Sequence, residues 1–413
     1  MSPRANDAQR TADAVARHSY GKLVAFLAAQ TRDVAAAEDA LSEAFAAALA
    51  TWPQSGCPSN PEAWLMTVAR RRLIDGARHR RSGETVAAQL QILAGEPEAV
   101  AAPEIPDHRL ALMFACTHPA IEEGIRAPLM LQVVLGLDAK SIASAFLTSP
   151  AAMSKRLVRA KEKIRQAGIS FNIPEREELP SRLDAVLDAI YAAFAEGWSD
   201  PGGTDVARRD LTEEVIYLAR LMTELLPQSP EVLGLLALML HADARRSARR
   251  DASCEYVPFT EQDIARWDAS MIAEAETLLR RACAMGSIGR YQLEGALQSA
   301  HVDRRRTGRA NWAEVVQLYD ALIALADSPV MVVNRALAIA ELHGAIAALQ
   351  SMQALTADTR LAEYQPYWAA RAELLAKTGA YDEARDAYGM AIGLERDPAV
   401  RNFLLQRQSA LPN

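Results

Sequence analysis

The sequence predicts an all-α protein: two small helical domains, the second a helix-turn-helix, followed by a long array of helical hairpins. Three observations carry this. Apolar residues recur at three- and four-residue intervals along most of the chain. Capping residues followed by proline, such as Asn60-Pro61 and Ser149-Pro150, mark helix starts. Between Asp138 and Arg165, two short amphipathic runs meet at a Thr-Ser-Pro break.

With 413 residues, the chain suits two or three domains with separate cores. Half of the residues are hydrophobic and the formal net charge is -7, which excludes a protein that coats nucleic acid indiscriminately. Contact with DNA must then come from local basic patches. No apolar run is long enough to span a bilayer, and the polar start MSPRANDAQR lacks the order of a signal peptide, so a cytoplasmic protein without a membrane partner is expected. Cys57, Cys116, Cys254 and Cys283 stand far apart without CxxC spacing. They predict neither a metal site nor a disulfide framework, and no cofactor motif is present.

The first domain is read over residues 12–82. Its stretch DVAAAEDALSEAFAAALATW packs Ala37, Leu41, Ala44 and Ala48 inward and leaves Glu38, Asp39, Ser42 and Glu43 together on an exposed acidic side. Such a side is either simply solvated or a dock for a basic partner. The next helix opens with Asn60 as N-cap and Pro61 in the first turn, and takes Trp64, Leu65, Val68 and Ile74 as its packing stripe. Arg70, Arg71, Arg72, Arg78, His79, Arg80 and Arg81 crowd its remainder, a density of like charge that calls for solvent or a polyanion. Residues 83–105, rich in Gly, Pro and acidic side chains, read as a linker.

A second helical domain is read over 106–170. Asp138 caps a short helix carrying Ile142, Ala143 and Phe146, and the break at 148–150 starts a second one. There Met153, Leu157, Ala160 and Ile164 recur at helical spacing, so Ser154, Lys155, Arg156, Arg159 and Lys163 fall on the outward side. A helix packed on one face and basic on the other fits the major groove, where Lys and Arg meet phosphates and guanine edges.

In this order, AEDALSEAF, NPEAWLMTVARRRLIDGARHRR, a connector and a helix-turn-helix ending MSKRLVRAKEKIR resemble the extracytoplasmic-function (ECF) sigma factors of the sigma-70 family, over roughly residues 12 to 168. The resemblance implies that Glu38, Asp39, Ser42 and Glu43 engage the β′ clamp helices of core RNA polymerase. It implies that Trp64, Arg70, Arg71, Arg72, Arg78, His79 and Arg80 melt and read a promoter's -10 element. Ser154, Lys155, Arg156, Arg159 and Lys163 would read the -35 element. Arg71 stands where the family often has Asn, which bears on the -10 preference. Ser141 stands where Glu is usual, with a capping partner worth about 0.5 to 1 kcal/mol lost.

Residues 181–413 read as helix after helix. Gly379, Tyr381, Ala384, Tyr388, Ala391 and Pro398 fall close to tetratricopeptide-repeat positions, with a weaker match around Trp312, Tyr319, Ala321, Ala324 and Pro329. A degenerate, TPR-like helical-hairpin solenoid is expected. The whole arrangement resembles the sigma-factor subgroup with a C-terminal tetratricopeptide-like extension, whose blocks FAEGWSD, ARWD and GRYQLEGALQSAH recur here. Ala195 replaces the usual Asn and Trp368 the usual His. That resemblance implies that the extension controls the sigma domains or their polymerase contact; the short Pro-bounded linker makes intramolecular contact with the sigma domains the expected route, with an unknown protein or ligand on the solenoid as a further partner.

Glu196, Asp268, His301 and His343 form no spacing that ties a nucleophile, a metal or a phosphate loop together, so no enzyme is predicted. Trp198, Trp267, Tyr291 and Trp312 are expected to serve packing. Two other readings stand beside a sigma factor: a helix-turn-helix regulator with an interaction scaffold that acts without polymerase, and a repeat scaffold retaining a decayed sigma module.

Overall fold

The computed structural model describes residues 3–31, 33–79, 105, 107–167, 173–198, 206–326 and 328–412. These are helical with no β-strand among them, only an isolated bridge between Arg250 and Tyr256. The chain divides into two compact units, Met1–Gly197 with Asp210–Leu221, and Trp198–Arg209 with Met222–Asn413.

The first unit begins with three mutually packed helices, α1 (Pro3–Thr31), α2 (Val34–Ser55) and α3 (Pro61–His79). Asp33 Oδ1 accepts from the Ala36 amide at 3.0 Å to cap α2, and Asn60 Oδ1 accepts from Ala63 at 3.0 Å to cap α3. Ala37, Leu41, Ala44 and Ala48 are all buried, as their spacing requires. In α3 the fully buried stripe is Leu65, Ala69 and Leu73, while Trp64, Val68 and Ile74 lie half-buried beside it. The four-residue steps from Leu65 point straight at the neighbouring helices, and the small Ala69 lets them come close.

Helices α4 (His108–Ala115), α5 (Glu123–Val133), α6 (Ala139–Ala145) and α7 (Pro150–Gln166) follow. Of the predicted packing residues of this region, Ile142, Ala143, Met153, Leu157 and Ile164 are buried, while Phe146 and Ala160 are half-buried. Helix α4 is buried on nearly every side, Arg109 included, and packs on α1. Where α1 meets the end of α5 the backbones touch. A Cβ added at Gly21 would lie 1.9 Å from the Val134 carbonyl oxygen, inside any permissible contact.

Two further helices, α8 (Leu183–Trp198) and α9 (Val206–Leu225), contribute to this unit. A boundary at residue 181 therefore does not coincide with the division into compact units: α8 up to Gly197, and residues 210–221, belong with the preceding helices. Arg109 supplies a physical reason. Its guanidinium has only 6% of its side chain exposed, and it is held by Asp107 Oδ2 at 2.9 Å and by Glu214 of α9. A buried cation needs such partners, and one of them comes from beyond the proposed boundary. Of the linker read over 83–105, only Ile105 is among the described residues, and it is buried.

In the second unit, α10 (Pro230–Asp243) is apolar all round and lies between α11 (Ala269–Cys283) and α12 (Arg290–Thr307). Turns of 3-10 helix fill the segment between α10 and α11. Then α13 (Trp312–Leu325), α14 (Pro329–His343), α15 (Ala345–Ser351), α16 (Gln365–Thr378), α17 (Tyr381–Leu394) and α18 (Pro398–Ser409) pack largely neighbour on neighbour. Gly379 ends α16 with φ of 82°, a left-handed conformation that suits glycine. Ala384, Tyr388 and Ala391 of α17 are buried against α16 and α18 in one apolar cluster.

Candidate nucleic-acid interface

Local chemistry positions α7. Asp138 Oδ1 accepts from Ser141 at 2.8 Å and starts α6, so this helix keeps a side-chain cap without a glutamate at 141. Leu147 turns the chain with φ of 48°, and the Thr148 amide donates to Ala143 at 3.0 Å. Ser149 Oγ then accepts from Ala152 at 3.3 Å, with Pro150 in the first turn of α7.

On α7, Met153, Leu157 and Ile164 are buried, and Ser154, Lys155, Arg156, Arg159 and Lys163 are all exposed on the other side. Arg156 is partly engaged, since its Nη2 donates to the Gly124 carbonyl at 2.8 Å. A cavity of about 300 Å³ lies between α7 and the start of α5, walled by Ile121, Glu122, Arg156, Arg159 and Lys163. Arginines and a lysine beside an open recess suit phosphate contacts along a duplex.

Lys161 faces the opposite way. It follows Leu157 by four residues and precedes Ile164 by three, so it belongs to the packed side, and its Nζ meets both carboxylate oxygens of Glu38 at 3.0 and 2.9 Å. The Glu38 side chain is only 15% exposed. Of the candidate docking residues on α2, Glu38 is thus already occupied, while Asp39, Ser42 and Glu43 are exposed. Tyr20 lies against this group, its hydroxyl pushed up by burial and by the charges of Glu38 and Asp39. The engagement of Glu38 was not legible from its own neighbours. The i+4 and i−3 offsets of Lys161 are the only local hint.

Helix α3 arranges its cations differently. Arg70 is half-buried, with its guanidinium 5.2 Å from the ring centre of Phe26 and its Nε buried without an acceptor among the described residues. Arg71 is exposed, and Arg72 reaches Glu43 at 3.2 Å across the surface. Trp64 packs edge to face on Trp52 with ring centres 5.5 Å apart. Arg78 and His79 lie in the last turn of α3, with side chains outside the described residues, as is Arg80 altogether.

The family described as sigma-70 region 2 matches residues 15–83. A family of unknown function, DUF6596, matches residues 182–283. The uncharacterized protein R00370 of Rhizobium meliloti is 38% identical over 380 residues, covering 90% of this chain and 89% of that protein. The probable RNA polymerase sigma factor RfaY of Xanthomonas campestris is 34% identical over 165 residues, covering 36% of this chain and 40% of its own length. No solved structure is significantly similar. With region 2 falling on α1 to α3, and with a relative aligned along nearly its whole length, the chain is a sigma-70 family member that belongs to the same family as the Rhizobium meliloti protein.

Proposed function

We propose that the protein is an ECF-type sigma factor that binds core RNA polymerase, directs it to promoters and is regulated by its C-terminal helices without catalysis of its own. The observation that carries the proposal is the two-faced α7, whose exposed Ser154, Lys155, Arg156, Arg159 and Lys163 oppose a buried stripe behind a capped turn. It stands in the same chain as a sigma-70 region 2. On this reading α7 lies in the major groove of the -35 element. Helix α3 supports the single strand melted at the -10 element, with Arg71 and the last-turn cations on the phosphates. Asp39, Ser42 and Glu43 meet the polymerase clamp helices.

The contact between Lys161 and Glu38 belongs to the regulation. While α7 is held on α2, Glu38 is withheld from polymerase, and the two DNA-reading helices cannot move apart to span a promoter. Binding therefore begins with their separation. The C-terminal array, TPR-like in its helix pairing, acts on this step through α8 and α9, most of whose residues belong to the first compact unit.

Run-off transcription with core polymerase and a candidate promoter tests the proposal. Promoter-dependent transcripts are expected from the purified chain, lost in Asp39→Arg and raised in Lys161→Ala. Shifted DNA without transcripts would instead identify an operator-binding regulator.

A further inference from the structure

The segment from Asp243 to Asp268 joins α10 to α11 and carries five arginines, of which Arg246 and Arg250 meet a carboxylate. Arg249 lies 4.2 Å from the ring centre of Trp198 and donates to the Trp198 carbonyl at 2.8 Å. Arg245 lies 4.8 Å from the Phe259 ring centre and donates to Gln298 Oε1 at 2.8 Å. Among the described residues neither meets a carboxylate at ion-pair distance. Burial, with the charge of neighbouring arginines adding to it, brings both guanidinium groups down to about 10. Among the described residues Arg266 also lacks a carboxylate partner, and it donates to the backbone carbonyls of Arg250, at 2.8 Å, and Ser247. Arg246 and Arg250 do have partners, Asp243 at 2.6 Å and Asp397.

A cavity of about 530 Å³ opens over this segment, with Arg246, Arg250, Arg266 and Trp267 in its wall and Arg209 beside them. Three N–H groups of these wall residues, Arg246 Nη2, Arg250 Nε and Trp267 Nε1, are buried without an acceptor among the described residues, and Trp267 is only 6% exposed. Buried donors are normally satisfied, so three orphans around one recess call for an acceptor-rich guest. The planar forks of arginine match the oxygens of phosphate, and a multiply charged anion would relieve the mutual repulsion of the cluster. Two carboxylates share the wall. Asp243 and Asp268 each spend Oδ1, on Arg246 and on the amides of Ser270 and Met271 respectively. Their second oxygens can accept from hydroxyl groups.

We infer that this cavity binds a small phosphorylated polyol, a sugar phosphate or a nucleotide, with its phosphate on Arg246, Arg250 and Arg266 and its hydroxyls on Asp243 and Asp268. The volume suits a ligand of that size. Arg266, Trp267 and Asp268 belong to the ARWD block, which the DNA and polymerase surfaces leave without a task, and the site is independent of the transcription reading. Trp267 then serves more than packing.

Calorimetry and thermal melting of the full chain with ribose 5-phosphate, ADP and inorganic pyrophosphate test the inference without polymerase or DNA. At least one of the two polyol phosphates is expected to bind and raise the Tm. Preference for ribose 5-phosphate assigns a sugar phosphate, and preference for ADP a nucleotide. Arg266→Gln is expected to weaken that binding by about tenfold or more. Trp267→Phe keeps the ring without its N–H and is expected to weaken binding several-fold, which keeps the test decisive if the first variant folds poorly. The inference is overturned if neither polyol phosphate binds at millimolar concentration, if pyrophosphate binds better than both, or if the folded variants bind as the parent chain does.

Discussion

Helices α3 and α7 both carry clustered cations but use them in different ways. On α7 the cations at 155, 159 and 163 stand in solvent opposite a buried stripe. On α3, Arg70 lies over Phe26, Arg72 leans on Glu43, and Arg71 alone of the three is both exposed and unpaired among the described residues. The difference shows that a run of arginines does not define a binding surface. Arginine carries a planar, weakly hydrated group that settles on aromatic rings and carbonyls as readily as on phosphate. The segment at 245–250 takes this further, with two guanidinium groups turned inward onto Phe259 and Trp198.

Substitutions can break or sharpen this contrast. Leu157→Ala removes the buried side of α7 and is expected to cost about 2 to 5 kcal/mol of stability, read by chemical denaturation. Arg159→Ala leaves stability unchanged but weakens binding to promoter duplex by about 1 to 3 kcal/mol, measured by fluorescence anisotropy. Arg159 is a cleaner test than Arg156, whose loss also frees the Gly124 carbonyl. Arg70→Ala should cost about 0.5 to 2 kcal/mol of stability through its lost position over Phe26, while Arg71→Ala costs none and weakens only single-strand binding. Smallest of all, Arg72→Ala is expected to change stability by no more than about 0.5 kcal/mol, because both partners of its ion pair are more than half exposed. Equal stability losses for Arg70→Ala and Arg71→Ala would erase the distinction drawn within α3.

The legible part of the molecule is the local part. Asn60, Asp138 and Ser149 announce helix starts because capping is an interaction over two or three residues. The two faces of α7 follow from a period written in adjacent turns. What the chain does not spell out is who meets whom at a distance. Lys161 finds Glu38 across 123 positions, and Arg109 finds Glu214 across 105. Neither pairing leaves a pattern in its own stretch of sequence. Nothing in the run ARRSARR announces that Arg245 lies over Phe259 and Arg249 over Trp198.

Gly21 sets a condition on the first unit. With the Val134 carbonyl where a methyl group would have to go, the seam between α1 and the end of α5 closes around a single hydrogen atom. Packed backbones do not yield by degrees. A wedge as small as alanine at this position would act as a permanent latch-release, holding the two halves ajar while leaving the groove-facing cations and the acidic ridge chemically intact.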